Sequence, residues 1–293
     1  MIARVLDGTA IANAIRRDIA VDAAALVKRG IQPGLAVVIV GEDPASQVYV
    51  ASKGKACLEA GMHSETIRLP ATVTEAELLA VVDRLNADPR IHGFLVQLPL
   101  PKHISGERVL LRVNPDKDVD GFHPMNVGRL SVGDQTAFRP ATPFGVQQML
   151  IRSGIDTKGM HAVIVGRSNI VGKPMASLLV QDTPGGNCTV TICHSRSRDL
   201  PSLTRQADLL VVAIGKPEFV TADMVKAGAV VVDVGINRVA DSASAKGYRI
   251  VGDVAYGPVA EVASAITPVP GGVGKMTIAM LLMNTLQAAR QQA

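Results

Sequence analysis

Four short apolar runs in the second half of the chain constrain its fold more than any other feature. They are rich in β-branched residues, have the length of buried strands, and are separated by segments long enough for helices. This alternation is typical of a doubly wound parallel sheet with helices on both faces. We therefore predict a Rossmann-type α/β domain over residues 140–270, which begins with a helix from Pro143 to Gly154. The four runs are HAVIVG (161–166), CTVTICH (188–194), DLLVVAIG (208–215) and GAVVVDVG (228–235).

The first part of the chain has a similar alternation of helical and strand patterns. It predicts an N-terminal βαβ-type domain over residues 1–120. The passage from Asn114 to Pro143 has few periodic signals, and we place a connecting region within it at 121–139. The predicted elements of the N-terminal domain are a helix at 9–29, a strand at 35–40, a helix containing Tyr49 and Lys53, a strand at 64–69, a helix opened by Thr74 with Glu77 in capping-box spacing, and a strand at 93–98.

The composition limits the classes of partner. The chain has 293 residues, of which 47% are hydrophobic and 19% charged, as expected for a globular protein of about two domains. No run approaches the ~18 apolar residues of a membrane span, and no signal-peptide pattern is present, so we expect a cytoplasmic protein without membrane contact. A net charge of +4 with no Trp and few other aromatic residues disfavours nucleic acid and suits an anionic small molecule. The three cysteines lack zinc-ligand spacing, so we expect no metal.

A helix with clear start and stop signals places two functional side chains together. Asp43 can cap this helix, Pro44 favours its first position, and Gly61 can end it. Tyr49 and Lys53 are four residues apart and therefore share one face. The lysine either extends to water along an apolar face or is held for chemistry, because an amine shifts its pKa readily when desolvated.

The run HAVIVGRSNIVGKPMASLLV predicts a strand, a turn and a helix that could hold a phosphate. Gly166 ends the strand, and Gly172 opens the helix, whose N-terminal amides favour anions. The usual GxGxxG spacing is absent, so a tight turn without a ligand is an equal alternative. The next strand ends in HSRSR at 194–198, with no acid before Asp199. Arginine and serine there favour NADP over NAD, although a solvated basic loop would have the same composition.

Five separated motifs occur in order along the chain: YVASK (49–53), VQLPLP (96–101), PDKDVDGFHP (115–124), GRSNIVGKP (166–174) and PGGVGKMT (270–277). Together they resemble the bifunctional methylenetetrahydrofolate dehydrogenase/cyclohydrolase family, and the resemblance covers essentially the full length. It implies a homodimer that oxidises 5,10-methylenetetrahydrofolate with NADP⁺ and hydrolyses the product to 10-formyltetrahydrofolate for one-carbon metabolism and purine biosynthesis. It also implies that the last helix, from residue 275 to 293, returns to the first domain.

The resemblance also assigns roles to individual residues. Lys53 is implied as the catalytic amine, with Tyr49 and Gln97 beside it, while Asp120 holds the pterin of the reduced folate. Asp118 is a turn-forming or structural acid. The remaining implied contacts are Gly271 and Gly272 for the folate, and Thr142, Gly166, Arg167, Ser168, Ser195 and Ile236 for the cofactor.

The sequence leaves two alternatives to the bifunctional enzyme, and one departure from the family. The alternatives are a dehydrogenase without the hydrolytic step and a non-catalytic dinucleotide sensor, but neither requires an amine, a glutamine and a second acid together. The departure is Lys275, where the family generally has proline. The resulting GK pair is not a P-loop, because Met276 follows it instead of Ser or Thr. Lys275 either attracts the glutamate tail of the folate or is a tolerated exposed substitution.

Overall fold

A computed structural model describes residues 2–244 and 247–293 and divides the chain into two compact units. The first unit comprises Asn13–Ala141 and Ile278–Ala293. The second comprises Thr142–Thr277 together with the N-terminal residues up to Ala12. The chain crosses between the units inside three helices, which are α1 (Gly8–Val27), α6 (Ala141–Arg152) and α10 (Val273–Gln291).

A three-stranded parallel sheet forms the centre of the first unit. Its order is β3-β2-β4, and all seven residues of the middle strand are buried. The predicted βαβ series is therefore confirmed, and two helices that the sequence did not predict, α4 and α5, follow it. The elements are β2 (Gly34–Val40), α2 (Pro44–Glu59), β3 (His63–Leu69), α3 (Glu75–Ala87), β4 (Gly93–Val96), α4 (Gly106–Arg112) and α5 (Pro124–Ser131).

Side-chain caps fix the starts of the first two helices after β2. The carboxylate of Asp43 accepts a hydrogen bond of 2.8 Å from the Ser46 amide at the start of α2. At the start of α3, the Thr74 hydroxyl accepts from the Glu77 amide, and the Glu77 carboxylate accepts from the Thr74 amide in return. Both caps satisfy amide groups that a helix leaves without an internal partner.

A six-stranded parallel sheet forms the second unit. Its order is β1-β11-β8-β7-β5-β6, so the doubly wound sheet predicted from the sequence is confirmed. The N-terminal strand belongs to this unit because it pairs with β11. The other two strands, β9 and β10, form a separate antiparallel pair. The elements are β1 (Arg4–Val5), β5 (His161–Val165), α7 (Gly172–Val180), β6 (Thr189–Cys193), α8 (Leu200–Thr204), β7 (Leu209–Val212), β8 (Val230–Asp233), β9 (Asn237–Ala240), β10 (Tyr248–Val251), α9 (Tyr256–Val262) and β11 (Ala265–Ile266).

The connection between β7 and β8 departs from a regular βα alternation. It contains a 3₁₀ turn at Ala222–Met224 instead of an α-helix. Gly215 and Glu218 have φ values of 67° and 52°, which a right-handed helix does not allow, and Pro217 between them lacks an amide donor. These residues break the helical path, so the segment crosses from one strand to the next as an irregular loop.

The last helix begins in the second unit and ends in the first, the domain to which the family resemblance implied that it returns. Residues up to Thr277 belong to the second unit, and those from Ile278 onward belong to the first. In the first unit, the side-chain amide of Asn284 is fully buried and donates to the carbonyl groups of Val119 and Arg139 at 2.8 and 2.9 Å. None of the helices in the described part of the chain has the length and apolarity required to cross a bilayer.

Replacing Thr74 with alanine is expected to lower the free energy of unfolding by about 1 kcal/mol, because α3 loses the hydroxyl that caps its N-terminus. Urea denaturation measures the change. Thr74→Ser keeps the hydroxyl and is expected to retain most of the stability. Equal losses in the two variants would show that the methyl group, and not the cap, carries the effect.

Candidate active site

The Lys53 amine is buried and held by a neighbouring side chain. Lys53 is only 4% exposed, and its Nζ donates to Oε1 of Gln97 at 3.1 Å. The same nitrogen lies 4.6 Å from the centre of the Tyr49 ring, one helical turn earlier. Gln97 comes directly after β4, and its own amide nitrogen donates to the Leu98 carbonyl, which orients its oxygen toward the amine. The amine is therefore held inside the first unit, and does not extend to water.

Burial and charge act in opposite directions on the two ionisable groups of this site. Burial lowers the pKa of Lys53, and the negative charge of Asp120 opposes that shift. Burial raises the pKa of Asp120, and the positive charge of Lys53 opposes that shift in turn. Each group thus favours the charged form of the other. A lysine with a lowered pKa can exist as the neutral amine that a proton-transfer reaction requires.

The turn that carries Asp120 is anchored by a second acid. Asp118 is 3% exposed, and its Oδ2 accepts from the His123 amide at 2.8 Å and from the Asn126 side-chain amide at 2.9 Å. Burial raises the pKa of Asp118 to about 7, although these hydrogen bonds favour the charged form. The Asp118 carbonyl also accepts from the Gly121 amide, which closes the turn around Asp120. Asp118 therefore has the structural position that the sequence analysis gave it.

Asn284 is a residue of this site that the sequence analysis missed. Its bond to the Val119 carbonyl fixes the backbone immediately before Asp120. The available signal in the sequence was an asparagine within the apolar run AMLLMNTL of the last helix. The structure buries it fully, and a buried side-chain amide needs hydrogen-bond partners. The helix from 275 to 293 therefore supports the acid that is implied to bind the pterin.

The loop after β5 has the close approaches of a phosphate-binding turn. A Cβ atom at Gly166 would lie 2.3 Å from the Ala213 carbonyl oxygen, and one at Gly172 would lie 2.1 Å from the Gly166 carbonyl oxygen. Only glycine fits at both positions. The Ser168 hydroxyl accepts from the Val171 amide at 3.1 Å, just before α7 begins, while Arg167 beside it is exposed. The turn before α7 is thus exposed from Arg167 to Ile170, while Gly172 at the start of the helix is buried.

The loop after β6 places cations where a cofactor phosphate could bind. The Ser197 amide donates to the His194 carbonyl at 2.9 Å, which closes a turn with Ser195 and Arg196 exposed at its tip. Asp199, the first acid after β6, is engaged elsewhere, because its carboxylate accepts from the Ser202 amide at the start of α8. Within the described residues, no ion pair neutralises Arg167, Arg196 or Arg198. These groups fit a 2′-phosphate better than a free ribose hydroxyl.

The remaining residues that the family resemblance assigns to a ligand lie in or beside loops of the second unit. The Thr142 hydroxyl is 3.1 Å from the Thr277 hydroxyl, which links the start of α6 to α10. Ile236 follows β8 and is 64% exposed, an unusual position for a large apolar side chain. Gly271 has a φ of 112°, and a Cβ atom at Gly272 would lie 2.5 Å from the Pro268 carbonyl oxygen. The sequence around Gly271 and Gly272 therefore requires glycine for backbone reasons alone.

The cysteines and acids form no metal centre in the part of the chain that the structure describes. No group of three or more His, Cys, Asp or Glu side chains there could hold a metal ion. Cys57, Cys188 and Cys193 are buried free thiols, and burial raises the pKa of Cys57 to about 12. A thiol with such a pKa is protonated at neutral pH and unreactive.

A doubly wound parallel sheet with a glycine-lined anion loop, in a chain that also buries a lysine beside a glutamine, defines a two-domain dinucleotide-dependent enzyme. The family model for the tetrahydrofolate dehydrogenase/cyclohydrolase catalytic domain matches residues 6–120, and the model for the NAD(P)-binding domain of the same family matches residues 140–293. The chain belongs to the tetrahydrofolate dehydrogenase/cyclohydrolase family. The predicted family, and with it a bifunctional oxidoreductase and hydrolase, is confirmed.

Similar proteins match over the full length. Bifunctional protein FolD 1 of Myxococcus xanthus is 59% identical over 99% of this chain and 98% of its own length. The crystal structure of the bifunctional enzyme FolD from Campylobacter jejuni has a TM-score of 0.93 and 48% identity, covering 99% of this chain and 100% of that one. The Trypanosoma brucei methylenetetrahydrofolate dehydrogenase-cyclohydrolase, solved with NADP and an inhibitor, has a TM-score of 0.92 and 40% identity, with coverage of 99% and 98%.

The raised pKa of Asp118 predicts a pH-dependent stability. The folded protein binds a proton at Asp118 more tightly than the unfolded chain does, so this contribution is complete below the unfolded pKa and is lost as the pH rises through about 7. Asp118→Asn can keep both hydrogen bonds through its oxygen without the charge. We therefore expect the variant to gain about 2 kcal/mol relative to wild type between about pH 5 and pH 8.

Urea denaturation at both pH values measures this difference. Asp116→Asn, in the same turn but exposed, is the matched control. Parallel pH profiles for wild type and Asp118→Asn would contradict the assignment of the proton to Asp118.

Proposed function

We propose that this protein oxidises 5,10-methylenetetrahydrofolate to 5,10-methenyltetrahydrofolate with NADP⁺ and hydrolyses the product to 10-formyltetrahydrofolate. The observation that carries the proposal is the buried Lys53 amine in a chain of this family. Its nitrogen donates to Gln97, and the negative charge of Asp120 opposes the lowering of its pKa by burial. A coupled assay tests it by following reduced cofactor and the methenyl species separately. NADPH formation with consumption of the methenyl species supports both activities, and accumulation of the methenyl species would reduce the proposal to a dehydrogenase.

In the proposed reaction, side chains of the first unit hold the pterin of the folate. The Asp120 carboxylate can accept two N–H groups of the pterin, which lie in one plane. The family resemblance also assigns Gly271 and Gly272 to the folate, and glycine there leaves the backbone without side chains. The Tyr49 ring, stacked against the amine, orients both the substrate and Lys53.

The oxidation step requires alignment more than acid–base chemistry. Bound NADP⁺ would accept a hydride, leaving a cation shared by the two folate nitrogens. The cofactor would be held by the Gly166 loop, by Arg167 and Ser168, by Ser195 and by Thr142, while Ile236 would exclude water beside the nicotinamide. None of these side chains has to exchange a proton, so their task is to bind and orient.

The hydrolytic step requires proton transfer, which Lys53 can provide. As a water oxygen bonds to the methenyl carbon, the neutral amine of Lys53 accepts a proton from that water. As the carbon–nitrogen bond then breaks and the formyl group forms, the ammonium returns a proton to the departing ring nitrogen, and the hydroxyl proton is released to solvent. Gln97 holds the amine through both transfers, and the charge of Asp120 stabilises its protonated form.

The wider setting follows from the family and from a few features of the chain. We propose that the product supplies formyl groups for purine biosynthesis and that the enzyme acts in the cytoplasm, where its three free thiols stay reduced. We also propose a homodimer. Support comes from β6, an edge strand of the six-stranded sheet, on which Ile192 is 39% exposed. Light scattering on the purified protein tests the dimer.

Replacing Lys53 with methionine is expected to lower the cyclohydrolase rate by at least about a hundredfold, because proton transfer in the hydrolysis is lost while the side-chain volume is kept. The rate of methenyl consumption measures the change, and calorimetric titration with NADP⁺ checks that the other unit still binds its cofactor. Lys55→Met, two residues away and exposed on the same helix, is the matched control. Full cyclohydrolase activity in Lys53→Met would refute the role of the amine.

Replacing Ser195 with aspartate is expected to lower kcat/KM for NADP⁺ by about tenfold or more, since a carboxylate would repel the 2′-phosphate. The value for NAD⁺, which lacks that phosphate, is expected to change much less. Measuring both cofactors with the same protein provides the internal control. A wild-type preference for NAD⁺, or an equal loss with both cofactors in the variant, would contradict the assignment of this loop.

A further inference from the structure

Two buried carboxylates in the second unit have no part in the chemistry described so far. Asp233 ends β8 and is 3% exposed, while Asp253 follows β10 and is fully buried. Within the described residues, neither carboxylate forms an ion pair with Lys, Arg or His. A buried charge without a counter-ion needs several hydrogen-bond donors, and both residues have them.

Asp253 binds the loop that follows β7. Its Oδ2 accepts from the amides of Ile214 and Gly215 at 2.7 and 2.9 Å. Its Oδ1 accepts from the Lys216 amide at 2.8 Å and from the Asn237 side-chain amide at 2.9 Å. Three consecutive backbone amides thus point at one carboxylate, and a fourth donor comes from the first residue of β9.

Asp233 binds the segments on either side of it. Its Oδ1 accepts from the amides of Gly235 and Asp253, and its Oδ2 accepts from the Val254 amide, all at 2.9 Å. The two acids also require two glycines. A Cβ atom at Gly235 would lie 2.3 Å from the Asp253 Cγ, and one at Gly252 would lie 1.8 Å from Oδ2 of Asp233. Each acid therefore packs directly against the backbone beside the other.

The result is that Ile236 lies between two anchors. The residue before it, Gly235, donates to Asp233, and the residue after it, Asn237, donates to Asp253. The Ile236 side chain is 64% exposed, although the backbone on both sides is tied to buried groups. A Cβ atom at Gly274 would come within 3.2 Å of its Cδ1, so the start of α10 bounds it on one side. An exposed apolar side chain held this firmly suits a contact surface for a ligand.

We propose that Asp253, together with Asp233, is a positioning residue of the dehydrogenase reaction, which holds Ile236 and the loop after β7 in the arrangement that hydride transfer requires. Both loops follow strands of the parallel sheet at its carboxyl edge, where doubly wound folds bind their ligands. The proposal rests on the proposed contact between Ile236 and the nicotinamide. It adds that buried carboxylates, and not the bound cofactor, fix that contact.

A purely structural role predicts a different pattern of effects. If the two acids only stabilised the fold, their loss would weaken NADP⁺ binding and hydride transfer together. If the acids position Ile236, variants that lack them still bind NADP⁺ through the loops after β5 and β6, because those loops make no hydrogen bond to either acid in the part of the chain that the structure describes. Affinity then stays while the rate of hydride transfer falls.

The test uses the full-length protein with Asp253→Asn and, as a milder change, Asn237→Ala. In Asp253→Asn, the NH₂ group of the asparagine replaces one carboxylate oxygen and faces backbone N–H groups that it cannot accept. Hydrogen exchange of the Ile214, Gly215 and Lys216 amides in the cofactor-free protein is therefore expected to accelerate by about tenfold or more. Single-turnover hydride transfer is expected to fall about tenfold or more in Asp253→Asn and several-fold in Asn237→Ala. The Kd for NADP⁺ is expected to stay within about threefold, and cyclohydrolase activity is expected to be unchanged.

The matched control is Asp208→Asn in the same unit. Its carboxylate also accepts from a backbone amide, that of His161, but at the opposite edge of the sheet. It is expected to lower stability without altering hydride transfer.

Unchanged hydride transfer in Asp253→Asn would overturn the proposal, as would a parallel loss of NADP⁺ affinity and hydride transfer in Asn237→Ala. If Asp253→Asn does not fold, Asn237→Ala decides alone.

Ile236→Ala tests the contact between Ile236 and the nicotinamide, on which the proposal rests. A normal rate of hydride transfer in Ile236→Ala, together with a slow rate in Asp253→Asn, would show that this contact is not needed and would overturn the positioning of Ile236. Absence of any turnover in the wild type would refute the proposed function itself, and unchanged amide exchange in Asp253→Asn would separately refute the anchoring.

Discussion

The loops that carry the functional residues depend on buried Asp and Asn side chains that satisfy their backbone groups. A buried amide or carbonyl without a partner costs on the order of 1–3 kcal/mol, and an irregular loop has many such groups. In the first unit, Asp118 and Asn284 bond to the turn around Asp120. In the second, Asp233 and Asp253 bond to the loops after β7 and β8. The regular sheets leave these loops unsupported, so the polar side chains determine the shape of the sites.

The same burial that supports the turns also tunes the ionisable groups of the first unit. Lys53 and Asp120 are both shifted toward their neutral forms by desolvation, and each charge pulls the other back. For Lys53, desolvation favours the neutral amine, which can accept a proton, and the charge of Asp120 favours the ammonium, which can return one. The proposed hydrolysis uses both forms of the amine, and the two opposed effects act on the balance between them.

Much of the fold follows from local sequence signals, because caps and buried strands are encoded within a few residues. Asp43, Thr74 and the apolar runs predicted their elements correctly. The loop between β7 and β8 was less predictable, because the positive φ of Glu218 depends on how the segment packs. The family motifs identified Tyr49, Lys53 and Gln97 as candidates. In the structure, the Lys53 amine donates to Gln97 and lies over the Tyr49 ring. Asn284 and Asp253 belong to no such motif, and their partners are backbone groups far away in the sequence, which are carbonyls for Asn284 and mainly amides for Asp253.

The two units solve different electrostatic problems, and this difference explains why their polar residues are used differently. The first unit contains a lysine whose pKa is lowered by burial and raised by the charge of Asp120, which suits the proton transfer proposed for it. The second unit must bind phosphate and align a hydride, and neither task involves a side-chain proton. Its cations are accordingly exposed arginines, and its buried acids Asp233 and Asp253 each accept several N–H groups. A chain that carries both reactions can therefore change the pH response of hydrolysis through the surroundings of Lys53 without disturbing the groups that bind the cofactor.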